Sequence, residues 1–150
     1  MGEPTATASA IINFIEKLED DSSKFYKKLA ERYSENKELF LSFAEEDRKS
    51  KALVIRTYRE TITDALEACF SFKGLNLNDY KIEPTLADDA SYSDALKIAI
   101  QLEEKASKFY LDLAERSRSL LATLPGAFRK VAEIRSKRKQ KLKALFNNLK

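Results

Sequence analysis

The chain has no histidine and no tryptophan, one cysteine, three glycines and three prolines among its 150 residues. The missing histidine excludes the most. It removes the usual general base, the usual imidazole metal ligand and every Ser–His or Cys–His catalytic pair. The lone Cys69 cannot close an internal disulfide and leaves no CxxC pair for zinc or redox chemistry. It reads as a small buried apolar residue near a helix end rather than as a nucleophile. Three scattered glycines cannot build a phosphate-binding loop. No run approaches the roughly 20 apolar residues of a membrane span, and the opening MGEPTATASA lacks the apolar stretch of a signal peptide. A cytoplasmic protein with no membrane partner is the resulting expectation.

What remains is helical material. The length is that of one domain able to bury a core, with 43% hydrophobic and 34% charged residues. So little Gly and Pro predicts long uninterrupted helices over a single domain, 1–150, with 1–8 flexible. Ser9 can cap a first helix running to about Tyr33, where SEN (34–36) breaks it. A second helix is expected from about Lys37 to Phe70. The Gly-, Pro-, Asn- and Asp-bearing stretch KGLNLNDYKIEPTLADDA (73–90) lacks a helical period and reads as a long crossover. SYSD (91–94) has the form of a capping box, opening a third helix that ends near Arg118. TLPG (123–126) reads as a short turn into a fourth helix. Short, long, short is the loop pattern of an all-α four-helix bundle made of two helical hairpins joined by one crossover.

The sequence also says nearly the same thing twice: LEDDSSKFYKKLAER at 18–32 and LEEKASKFYLDLAER at 102–116. A weaker echo pairs FAEEDRKSK (43–51) with VAEIRSKRK (131–139). The first helix has an apolar stripe of Ile11, Ile15, Leu18, Ser22, Phe25 and Leu29. Beside it runs a heptad row, Ile12, Glu19, Tyr26 and Tyr33, which the third helix repeats as Leu96, Glu103 and Tyr110. Each glutamate therefore lies one heptad from an aliphatic residue and one from a tyrosine, an interior address. The second and fourth helices have seams that are apolar at their ends and polar in the middle, at Asp47 and Ser50 and at Arg135 and Arg138. In antiparallel hairpins these middles lie at similar heights. One polar layer of Glu19, Asp47, Ser50, Glu103, Arg135 and Arg138 is expected, and buried charges must be paired or hold a metal.

The repeat and the interrupted seams resemble rubrerythrin and the wider ferritin-like di-iron carboxylate family, over residues 10–145. The resemblance implies a ferritin-like bundle in which two helices each give a Glu and two each give Glu-x-x-His. Glu19 and Glu103 match the family's glutamate seven residues before a tyrosine, which would place Tyr26 and Tyr110 beside the metal site. The departure is equally specific. Asp47-Arg-Lys-Ser50 and Arg135-Ser-Lys-Arg138 stand where Glu-x-x-His belongs, and the four cysteines of a rubredoxin-like module are missing. Arginine pairs with carboxylates bidentately and stays charged. The expectation is that Arg135 and Arg138 fill the space of two metals, neutralise Glu19 and Glu103, and leave Tyr26 and Tyr110 as core aromatics bonded to carboxylates.

This leads to a non-catalytic, metal-free structural or interaction protein without a cofactor, self-associating as a homodimer. The alternative is a ferritin-like protein that binds iron or manganese through Glu19, Asp47 and Glu103, with Glu45, Glu46 or Glu133 swinging in, and handles iron or reduces peroxide or oxygen. A second alternative rests on the basic fourth helix. Residues 127–150 carry nine Lys or Arg and one acid, and KRKQKLK (137–143) offers sequence-blind phosphate contacts to a nucleic acid. Its apolar seam runs through that stretch with no interleaved aromatic, which favours a helix lying against the acidic remainder of the chain over a nucleic-acid partner.

Overall fold

The computed structural model describes residues 5–61, 71–117 and 123–149. Cys69 and the expected reach of the second helix to Phe70 lie outside the described residues. Four α-helices of 25 residues each dominate the described residues: α1 (Ala8–Arg32), α2 (Lys37–Thr61), α3 (Tyr92–Arg116) and α4 (Thr123–Asn147). The described residues are all-α apart from a minimal ribbon of β1 (Thr5–Thr7) and β2 (Ser71–Lys73), and no described helix is long and apolar enough to cross a membrane.

Residues 5–8 differ from the loose segment expected at 1–8. From Thr5 the chain pairs antiparallel with β2, Ala6 opposite Phe72, and both of those side chains are buried. Burying a phenylalanine contributes about 1.5–3 kcal/mol, enough to hold so short a ribbon against the helices. The helix then begins earlier than Ser9, because Thr7 supplies the cap by accepting the Ala10 amide at 3.1 Å. At its other end the Tyr33 amide donates to the Leu29 carbonyl at 2.9 Å, and SEN (34–36) forms a 3-10 turn. TLPG is not a free turn either. Thr123 to Gly126 already belong to the first turn of α4, where proline lacks no bond that the helix could have made. The capping box at α3 is formed, with Ser91 accepting the Asp94 amide at 3.0 Å and the Asp94 carboxylate accepting the Ser91 amide at 3.2 Å.

Helix α1 packs chiefly on α2 and α3 chiefly on α4, while α2 also meets α4. Segment 74–91 follows the helices closely. Gly74, at φ +79°, makes the left-handed turn out of β2, and its carbonyl accepts from Arg116 at the end of α3. Leu75, Tyr80 and Leu86 are buried, and the Tyr80 hydroxyl donates to Asp112 at 2.5 Å. Tyr33 donates to the Ala90 carbonyl at 2.7 Å, and Arg32 donates to the Asp88 carbonyl, so the end of α1 fixes the approach to α3. Aromatic clusters form on either side of the bundle's middle: Tyr26 with Phe25, Phe40 and Phe43, and Tyr110 with Phe109 and Phe128. Between them lies charge.

Candidate functional site

Each helix turns polar on its inward side near its middle. Glu19 of α1, Asp47 of α2, Glu103 of α3, and Arg135 and Arg138 of α4 are all at most 2% exposed. An unpaired ion so deep would cost several kcal/mol, so the pairing decides whether the layer is tolerable. Arg135 is the hub. Its Nη2 donates to Glu19 Oε1 at 2.6 Å and lies 3.1 Å from Asp47 Oδ1. Its Nη1 reaches Glu103 Oε1 and Oε2 at 2.9 and 3.0 Å, and Ser22 Oγ at 3.0 Å. Three helices are thereby tied to α4 by a single guanidinium.

Arg138, one turn further along α4, faces outward from this hub. Its Nη1 donates to Asp47 Oδ1 at 2.7 Å and to Glu103 Oε2 at 3.4 Å. Its Nη2 reaches the Phe43 carbonyl at 3.3 Å and Glu46 Oε1 at 3.0 Å. The guanidinium carbon sits 4.7 Å from the Phe43 ring centre and 5.3 Å from that of Tyr26, so both π-faces share its charge. Its Nε is buried without an acceptor.

The tyrosines cross between the halves. Tyr26 of α1 donates to Glu103 Oε2 at 2.5 Å, and Tyr110 of α3 donates to Glu19 Oε2 at 2.6 Å. Ser22 donates to Asp47 Oδ2 at 2.6 Å while accepting from Arg135. All six oxygens of Glu19, Asp47 and Glu103 therefore accept from an arginine, a tyrosine or a serine. Ser50 is buried beside this layer on α2, but the bonds run through Ser22 instead. Ser22 and Glu46 are the two members that sequence reasoning did not place in the layer. A serine in the stripe Ile11, Ile15, Leu18, Ser22, Phe25, Leu29 was the available signal.

Among the fully buried groups three carboxylates face two guanidiniums, one negative charge too many, and the half-exposed Glu46 adds a fourth carboxylate at Arg138. Burial pushes the Glu19 carboxyl up to about 7, with the Asp47 charge adding to the rise against the opposing pull of Arg135. Below about pH 7 a proton on Glu19 offsets the surplus among the fully buried groups. Burial, and then the neighbouring carboxylates, hold the Tyr26 and Tyr110 phenols well above their ordinary value, so both remain donors. Burial works against the charge on Arg135, but Asp47, Glu103 and Glu19 together outweigh it and fix the guanidinium as a cation.

This donor set does not fit a di-metal centre. Guanidinium groups lie between the carboxylates, each carboxylate oxygen is engaged, and among the described residues no three acidic or cysteine side chains are grouped to hold a metal ion. Nor does the layer contain a free base or nucleophile. What it can do is lock the helices in register, since charge-assisted bonds join all four. Compared with protein-family models, with curated proteins and with solved structures, the chain matches none.

Proposed function

We propose that the chain is a single ferritin-like, rubrerythrin-like domain in which a salt-bridge layer stands at the position of the di-iron site, and that it works as a structural or interaction protein rather than as a catalyst. The observation that carries this reading is the occupation of all six carboxylate oxygens by donors of the chain itself. The internal repeat supports it. Glu19 and Glu103, Tyr26 and Tyr110, Asp47 and Arg135, and Ser50 and Arg138 are equivalent pairs by sequence, and Asp47 and Arg135 face each other at 3.1 Å. A homodimer in the cytoplasm completes the reading. The iron- or manganese-binding alternative would require both guanidiniums to leave a layer where they are at most 2% exposed.

Elemental analysis tests this on protein purified from iron- and manganese-supplemented cultures, beside Glu103→Ala. The expected result is the same trace metal content in both. Near-stoichiometric iron or manganese that disappears in the variant would overturn the reading and restore a metal-dependent role.

A further inference from the structure

Arg138 connects the buried layer to the surface. It forms the floor of an open groove of about 560 Å³ between α2 and α4. Phe43, Ile134 and Ala144 give that groove an apolar wall, and the exposed Lys137, Gln140 and Lys141 stand on its α4 side. Glu46, whose side chain is 46% exposed, is the acid of the groove and accepts from Arg138 Nη2 at 3.0 Å. Arg138 is matched by Asp47, Glu103 and Glu46, so Lys137 and Lys141 carry the two positive charges that the groove offers. Lys137 is only loosely committed, pairing with Glu133 at 3.3 Å with both side chains largely exposed. Arg138 is itself 2% exposed and one acceptor short at Nε. A buried donor without a partner is an unmet demand for an acceptor.

The groove on α1 and α2 is also basic, with Arg48, Lys51, Arg56 and Arg59 beside Glu16 and Glu60, but none of these cations is buried. The one between α1 and segment 83–86 has Lys17, Lys24 and Lys28, but also Asp21 and Glu83, and Lys17 is already bonded to Asp21 at 2.6 Å. No buried cation lines it.

We infer that the α2–α4 groove is a binding site for a small organic phosphate monoester, whose dianionic phosphate is held by Lys137, Lys141, Gln140 and Arg138 and whose organic part lies on Phe43 and Ile134. A phosphate dianion matches the excess of two positive charges and offers acceptor oxygens to a guanidinium. The volume suits a small molecule, and the apolar wall distinguishes an ester from inorganic phosphate. Binding draws Arg138 Nη2 from Glu46, which is exposed enough to swing into water.

The test is calorimetric titration of the full chain at fixed ionic strength and pH 8 with phenyl phosphate, inorganic phosphate and benzenesulfonate. Saturable one-to-one binding of phenyl phosphate is expected, about tenfold tighter than inorganic phosphate through burial of the ring, with the singly charged sulfonate weaker. Lys137→Gln and Lys141→Gln should each weaken it about three- to fivefold, and Glu46→Gln should tighten it by a similar factor. Lys24→Gln and Lys28→Gln, in the other groove, should leave it unchanged. Absence of saturation, equal weakening by Lys24→Gln, or weakening by Glu46→Gln would overturn the assignment. So would a single-stranded oligodeoxynucleotide that binds more tightly than the ester and is weakened by the same lysine substitutions, because the phosphates recognised would then be those of a polymer.

Discussion

The two halves of the molecule share a scaffold and differ in charge. Helices α1 and α3 carry the same glutamate and the same tyrosine at matching heights, and each tyrosine bonds the other half's glutamate. Helices α2 and α4 break the likeness, Asp47 standing in one half and Arg135 in the other, 3.1 Å apart. Had both halves kept an acid there, four carboxylates would converge in a low-dielectric interior and would need an outside cation or protons. Reversing the sign in one half lets the chain neutralise itself. The asymmetry is therefore a chemical solution to a problem that symmetry creates.

Breaking the asymmetry should produce the largest effect. Arg135→Met leaves three carboxylates buried around an apolar side chain and should cost about 3–5 kcal/mol in urea or guanidinium unfolding. A loss below 1 kcal/mol would mean that the carboxylates simply take up protons and that the hub contributes little.

Titration sharpens the same comparison, because the surplus charge sits on one glutamate. Glu19 faces Arg135, Asp47 and Tyr110, with Arg138 further off, and its carboxyl is raised from 4.5 to about 7. Between those values the folded chain binds more protons than the unfolded one, so stability falls as pH rises through this window. The contribution is fully present below about pH 4.5 and lost above about pH 7. Unfolding free energies measured across that range should decline by about 3 kcal/mol more in the parent than in Glu19→Gln. Parallel curves for the two proteins would refute the assignment of the proton.

The smallest effect separates two bonds that look alike. Among the described residues, Tyr110 is the donor to Glu19 Oε2, whereas Glu103 Oε2 accepts from Tyr26, Arg135 and Arg138. Tyr110→Phe strips one carboxylate oxygen of its donor, but Tyr26→Phe leaves two guanidinium donors in place. Denaturation should show a loss of about 2 kcal/mol for the first and about 1 kcal/mol for the second. Equal losses would say that packing of the rings, rather than satisfaction of the oxygens, sets the cost.

How much of this could be read in the chain follows from which interactions are local. Heptad spacing from aliphatic neighbours gives Glu19 and Glu103 their inward direction, and Ser91 with Asp94 signals a helix start through a contact three residues long. Pairings across the layer are another matter. Which oxygen meets which nitrogen depends on rotamers and helix heights, so Ser22 bridging Asp47 and Arg135 is invisible along one helix, and Ser50, at the better-matched position, stands aside. The ribbon of Thr5–Thr7 with Ser71–Lys73 joins segments too short to show a period and far apart in sequence. Its formation also moves the cap from Ser9 to Thr7. At TLPG the error was one of position, since proline and glycine mark a turn mid-chain yet fit within a helix's opening residues.

The cations at the centre of this protein are covalent parts of the polypeptide. The charges of Arg135 and Arg138 come with the chain itself, so translation sets the positive charge of this layer and a chelator cannot extract it.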